Sequence, residues 1–236
     1  MTRPHLAHGV SWRVKVETER LRTRIEHGDP LWPAQVSVAA AIALNLALTE
    51  KVSVGPTWLL PSVEGVLLAA LVVIAPSRAA THSSRLRRFA LGVIGLVSLA
   101  NIVSLGLLVH YLVNGGRAGG HALILSGVVL WGTNVLLFAV WYWEMDRGGP
   151  VVRFMDPKAQ PDFQFPQMEN PQLAPPGWRP GFVDYLYVSL TNATAFSPTD
   201  TMPLTQTAKI VMGVQSIAAL VTVGLVVARA VNILGG

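Results

Sequence analysis

An all-α, polytopic membrane helix bundle is the fold class this sequence predicts, on three observations. The chain is 51% hydrophobic and only 13% charged, with mean hydropathy +0.46, too apolar and too charge-poor for a water-soluble domain of 236 residues. Its apolar residues fall into about six segments, near 31–49, 57–75, 88–113, 121–143, 181–198 and 204–233. All but the fifth approach or exceed the roughly 20 residues that cross about 30 Å of hydrocarbon. Its basic residues are concentrated in alternate loops, as the positive-inside rule requires of a multi-pass protein.

The first 30 residues are polar and carry Arg3, Arg13, Lys15, Arg20, Arg22 and Arg24. So much polar sequence before the first apolar segment argues against a cleaved signal peptide, and the chain is expected to keep this end. Within it, residues 11–27 place Leu21 and Ile25 four apart among mixed charges. Such a segment is a cytoplasmic surface helix, solvated or laid on anionic headgroups.

Residues 31–143 hold four predicted membrane helices. The loop between the second and third carries Arg78, Arg85, Arg87 and Arg88, whereas the loops on either side of it carry only Lys51 and Arg117. An amino terminus in the cytoplasm follows. In the second segment Glu64 is the one acidic residue well inside a predicted span. It is either a proton or cation site, or a solvated carboxylate at the outer interface beyond a helix start broken by Pro61. In the third and fourth, Ser98, Asn101, Ser126, Gly127, Thr133 and Asn134 suit helix-to-helix packing. Trp141, Tyr142 and Trp143 end the fourth segment and are expected at headgroup level as anchors.

Residues 144–180 contain eight of the sixteen prolines and open with Gly148-Gly149-Pro150, which predicts an extended loop rather than a domain. Residues 181–236 form a predicted helix pair. If 181–198 crosses, the chain has six spans, both termini are cytoplasmic, and 15 of 18 basic residues lie inside, Arg229 among them, leaving Lys51, Arg117 and Lys209 outside. That is the topology the charges favour, with a re-entrant 181–198 as the alternative.

The stretch Asp184 to Asp200 resembles, without a gap, the pore loop of potassium channels. That family's Thr-Thr-Val-Gly-Tyr-Gly-Asp is matched here by Thr194-Ala-Phe-Ser-Pro-Thr-Asp200. Both glycines and the tyrosine are missing. A potassium filter turns backbone carbonyls toward the ion through angles that glycine permits, and Pro198 and β-branched Thr199 do not copy them. About the last hundred residues also resemble an uncharacterised family of bacterial inner-membrane proteins, a domain of unknown function of the 1345 type. The shared order runs from the aromatic helix end (Phe138, Trp141, Tyr142, Trp143) through Gly148-Gly149, Phe165-Pro166, Asp184-Tyr-Leu-Tyr187, Thr191, Phe196 and Asp200 to Val231-Asn232. Ser197-Pro198-Thr199 stands where that family shows another polar stretch, so the turn there is expected to differ. The resemblance implies an architecture and a location in the inner (plasma) membrane, and no activity.

On a helix, Asp184, Tyr187, Thr191 and Thr194 share one face, and in the last segment Gln215, Ala219, Thr222 and Arg229 share another. These stripes, with Glu64 and Asp200, are the candidate lining of a pathway for a small ion or solute. The competing reading is that they hydrogen-bond neighbouring helices. Function is therefore expected to be channel-like or transporter-like, or else that of a non-transporting scaffold or partner subunit, with a potassium-channel-like ion channel third. The lipid bilayer is the implied partner, a homo-oligomer is left open, and a pI near 10.0 set by loop arginines does not point to nucleic acid. No HExxH, GxSxG, Walker A or dinucleotide motif is present, so no catalytic residue is assigned. His110 and His121 lack a third ligand and the chain has no cysteine, so no metal or cofactor is assigned.

Overall fold

The computed structural model describes residues 32–46, 84–113, 120–156, 158–194 and 200–234. Along the chain these form α1 (Trp32–Leu46), α2 (Ser84–Val113), α3 (Gly120–Met145), α4 (Pro150–Met155), β1 (Phe163–Gln164), α5 (Pro166–Glu169), α6 (Phe182–Thr194), β2 (Met202–Pro203) and α7 (Gln206–Leu234). Among the described residues three helices are long and apolar enough to cross a membrane, over Arg87–His110, Leu123–Gly148 and Gln206–Ala228. The residues around Glu64, the amphipathic stretch 11–27 and the filter-like positions 195–199 lie outside the described residues.

The central helix is α3, in contact with α1, α2, α6 and α7. Its sequence accounts for that position, because apart from His121 it carries no ionisable side chain before Tyr142 and Glu144, and a helix apolar all round belongs inside. Small residues let its neighbours come close. A side-chain carbon placed on Gly127 would lie 2.1 Å from Val226 Cγ2, so α3 and α7 approach at a distance only glycine allows. The outer helices leave apolar rows uncovered, such as Leu96, Leu99, Ile102 and Val103 on α2 and Ile210, Val214, Ile217 and Leu220 on α7. Surfaces of that size mark contact with lipid or protein.

The end of α3 turns sharply. Arg147, Gly148 and Gly149 have φ of 54°, 78° and 103°, a run of left-handed backbone in which two of three residues are glycine. A side-chain carbon on Gly149 would sit 3.2 Å from both Glu144 O and Arg87 Nε. Arg87 also donates from Nη2 to Glu144 O at 3.0 Å, placing the start of α2 beside the end of α3. Residues 150–181 are not merely extended. Pro150, Pro166 and Pro171 each open a short helix, a position where the missing N–H costs nothing.

Within the expected crossing at 181–198 the structure describes helix α6. Its 13 residues extend about 20 Å at 1.5 Å per residue, short of the hydrocarbon thickness. Its start lies beside the end of α3, where Tyr185 Oη donates to Asp146 Oδ2 at 2.5 Å, and near its own end Ala193 O accepts from Trp131 Nε1 at 3.3 Å. It therefore runs antiparallel to α3. The following helix begins at the same end, because Thr205 caps α7 through Ala208 N at 3.2 Å and donates to Asp162 Oδ1 at 2.7 Å. β1 and β2 confirm the return, pairing Phe163 with Pro203 and Gln164 with Met202. The chain thus leaves for α6 and comes back to where it left before α7 starts.

Candidate functional site

Two hydrogen-bonded clusters hold α6 against α3 and α7. The first, at the end of α3, is built on Asp146, which is fully buried. Its carboxylate accepts from the backbone N–H groups of Asp162 (2.8 Å) and Phe163 (3.4 Å) and from Tyr185 Oη. The guanidinium groups of Arg153 and Arg147 each stand 3.9 Å from Oδ2. Arg153, itself buried, donates to Trp143 O and Asp146 O at 3.0 and 3.1 Å and lies over the Tyr185 ring at 5.0 Å. It thereby caps carbonyls that the end of α3 would leave open. Asp162 repeats the pattern one step outward, taking the N–H of Arg147 at 3.0 Å and the hydroxyl of Thr205.

The second cluster lies deeper and is neutral. Asn192 Nδ2 donates to Tyr142 Oη (3.2 Å), Gln215 Oε1 (2.8 Å) and Met212 O (3.0 Å), and its Oδ1 accepts from Ser216 at 2.9 Å. Tyr142 donates to Gln215 Oε1. Gln215 Nε2 donates to Ser189 O and Oγ at 2.9 and 2.7 Å, and Ser189 Oγ donates to Val135 O at 2.7 Å. A buried polar network this complete holds one arrangement of helices, since any member left unpaired would be costly in a low dielectric. Elsewhere in α3, Thr133 Oγ1 and Asn134 Oδ1 are buried without such a partner.

Between the clusters lies an aromatic wall. Tyr142, Phe163 and Tyr185 follow one another at centroid separations of 5.2 and 6.2 Å, and Phe165 meets Tyr185 edge-on at 5.3 Å. Trp143 packs on Phe182 at 6.0 Å. The rings of Tyr142 and Trp143 are thus buried within the protein. The 150–181 segment folds back over the end of α3 and covers their rings, while Trp141 donates from Nε1 to Ser98 Oγ at 2.9 Å.

The stripe expected on α6 is not the face it buries. Inward lie Phe182, Tyr185, Val188, Ser189 and Ala193. Of the expected four, Tyr187 is exposed, Asp184 receives the N–H of Gly181 at 2.7 Å as a helix-start cap, and Thr191 and Thr194 return their hydroxyls to Tyr187 O and Thr191 O of their own helix. In α7, Gln215 is fully buried in the deeper cluster, and Thr222 is buried but donates to Ala218 O of its own helix at 2.7 Å. Asp200 is exposed and outside both clusters. Residues 182, 185, 189 and 192 also recur at helical spacing, so the sequence carried a signal for Ser189 and Asn192 that the brighter hydroxyl stripe obscured. Asp146, Arg153 and Asp162 had none, standing in what reads as loop. Among the described residues no three His, Asp or Glu side chains gather as a cation site. No family model, no curated protein and no solved structure matches the chain.

Proposed function

We propose that the protein is an integral membrane protein of channel-like or transporter-like type, in the inner (plasma) membrane, in which α6 is a half-helix that dips into the bilayer from the cytoplasmic side and returns. The observation that carries this reading is the common starting point of α6 and α7 beside the end of α3. Non-crossing backbone at membrane depth is tolerated where protein buries it or where it lines water, which is why half-helices accompany pathways for ions and solutes. The resemblance of 184–200 to a pore loop supports the same reading, with the dip on the cytoplasmic face. The charges agree. With five crossings and the carboxyl end outside, Lys209 moves in and Arg229 moves out, so 15 of 18 basic residues are again cytoplasmic.

This topology is tested with single cysteines in a chain that has none. Residues at Ser84 and Gln167 are expected to react with an impermeant thiol reagent from one side, and those at Gly116 and Gly236 from the other. Labelling of Gly236→Cys together with Gln167→Cys would restore the crossing at 181–198.

Function is tested by flux from purified protein in liposomes, with sodium, potassium and glycerol as probes. Movement of at least one above empty vesicles is expected, without the strong preference for potassium that a carbonyl cage gives, because Pro198 and Thr199 replace filter residues. A reversal potential that follows potassium alone would refute the selectivity. A second reading, a non-transporting scaffold, draws on the completeness of the deeper cluster, whose side chains pair with one another as helix glue does. Absence of flux for all three probes would favour it.

A further inference from the structure

We infer that the contact between α2 and α3 is a binding site for a single water molecule at the middle of the membrane spans, seated on Asn101, Thr133 and Asn134. The site is separate from the clusters that fix α6, and it stands whether or not the protein transports.

The first support is a local shortfall of partners. Thr133 and Asn134 are 0% and 3% exposed, and among the described residues neither Thr133 Oγ1 nor Asn134 Oδ1 has a hydrogen-bond partner. An oxygen left so in a low-dielectric interior forfeits the bonds it made before folding, and native proteins commonly repair the loss with an ordered water. Other polar groups along α3 are well paired. Trp141 Nε1 donates to Ser98 Oγ, which donates to Ile94 O, and Tyr142 is held by Gln215 and Asn192.

The second support is a third polar group aimed at the same spot. Asn101, itself 5% exposed, reaches from α2 to Leu130 O with its Nδ2 at 3.5 Å, the far limit of a hydrogen bond. Leu130, Thr133 and Asn134 stand at i, i+3 and i+4, and helical side chains lean toward the N-terminus, so the hydroxyl and the amide overhang the turn that carries Leu130 O. The Asn101 amide therefore arrives beside the two unpaired oxygens. A water there accepts from Asn101 Nδ2 and donates to Asn134 Oδ1 and Thr133 Oγ1, three bonds, the usual complement of a buried water.

The third support is the size and character of the spot. One turn from Asn101 in one direction, Leu105 and Leu130 belong to one packed cluster, and one turn in the other, Val97 and Leu137 belong to another. The occupant is thus confined to about one helical turn. Asn101 lies near the middle of Arg87–His110, and Thr133 and Asn134 near the middle of Leu123–Gly148, far from headgroups at either end. All three side chains are neutral, so the seat suits water over an ion.

The experiment has two arms. In the first, the unsubstituted protein, labelled with nitrogen-15 in asparagine and glutamine, is placed in proteoliposomes and the transfer of magnetisation from water to side-chain amides is followed by solid-state NMR. Exposed Asn170 sets the wet limit, and Gln215, buried and paired, the dry one. The amides of Asn101 and Asn134 are expected to build up at least about threefold faster than that of Gln215. Build-up no faster than that of Gln215 overturns the site. In the second arm, Thr133→Val keeps the shape of the side chain and deletes its hydroxyl. Loss of one satisfied bond lowers the thermal midpoint by about 2–4 °C in a chain of this size, whereas a hydroxyl that had no partner gives a rise, which overturns the site. A fall in the midpoint with dry amides assigns the missing donor to the protein and overturns the water. If Thr133→Val does not fold, the first arm decides, with Thr133→Ser, which keeps the hydroxyl, expected to retain the fast build-up.

Discussion

Replacing Asp146 with alanine is expected to cost about 3–5 kcal/mol, because breaking a buried charge pair leaves the partner uncompensated. The partner here is Arg153, 3% exposed, which would lose the carboxylate that stands 3.9 Å from it. Three donors would lose this acceptor as well, the backbone N–H groups of Asp162 and Phe163 and the hydroxyl of Tyr185. The midpoint of thermal unfolding in detergent, with the fraction eluting as one species, measures the loss. Asp146→Asn keeps the shape and should lose less. Arg153→Met introduced alongside Asp146→Ala should recover stability relative to Asp146→Ala alone, since the stranded charge goes with it. A midpoint unchanged by Asp146→Ala would mean the cluster does not hold this end of the bundle.

Gly127→Ala is the second large effect. The added carbon would meet Val226 Cγ2 at 2.1 Å, and because valine on a helix has one strongly preferred rotamer, relief must come from separating α3 and α7. A cost of roughly 1–3 kcal/mol is typical of such overpacking. Val226→Ala in the same chain should restore most of it. Gly106→Ala is the control, since nothing lies within 4 Å of a carbon placed there, and its effect should be nil or slightly favourable through helix propensity. Equal midpoints for Gly127→Ala and Gly106→Ala would show that the two helices are not packed this closely.

Much of the helical frame was legible. The apolar run of α3 and its small residues announce a central, closely packed helix, and the long apolar runs of α2 and α7 announce possible crossings. The path of α6 was not, for a reason visible in two residues. Lys209 and Arg229 stand near opposite ends of α7, so reversing the direction of that helix exchanges one for the other and leaves the cytoplasmic count at 15. Loop charge is therefore blind to whether 181–198 crosses. The polar face of α6 was misassigned because hydroxyls recur on both of its sides, and only tertiary contact distinguishes Ser189, which meets Val135 O and Gln215, from Thr191, which bonds its own helix. Asp146 and Asp162 are pinned by a loop that folds back on its helix, a long-range event that no periodicity records.

The ladder at the base of α6 also bears on the order in which the protein is made. Because Phe163–Gln164 and Met202–Pro203 meet before α7 begins, α3 and α7 can be threaded through the bilayer as consecutive antiparallel helices, with α6 held back as a side branch. Insertion machinery sorts segments by length and apolarity, and the 13 residues of α6, interrupted by Asp184, Ser189, Thr191 and Asn192, do not require it. The branch can fold home afterwards from the compartment that already contains its stem. Biogenesis would then have two stages, a membrane-spanning shell first and its internal polar bonds last.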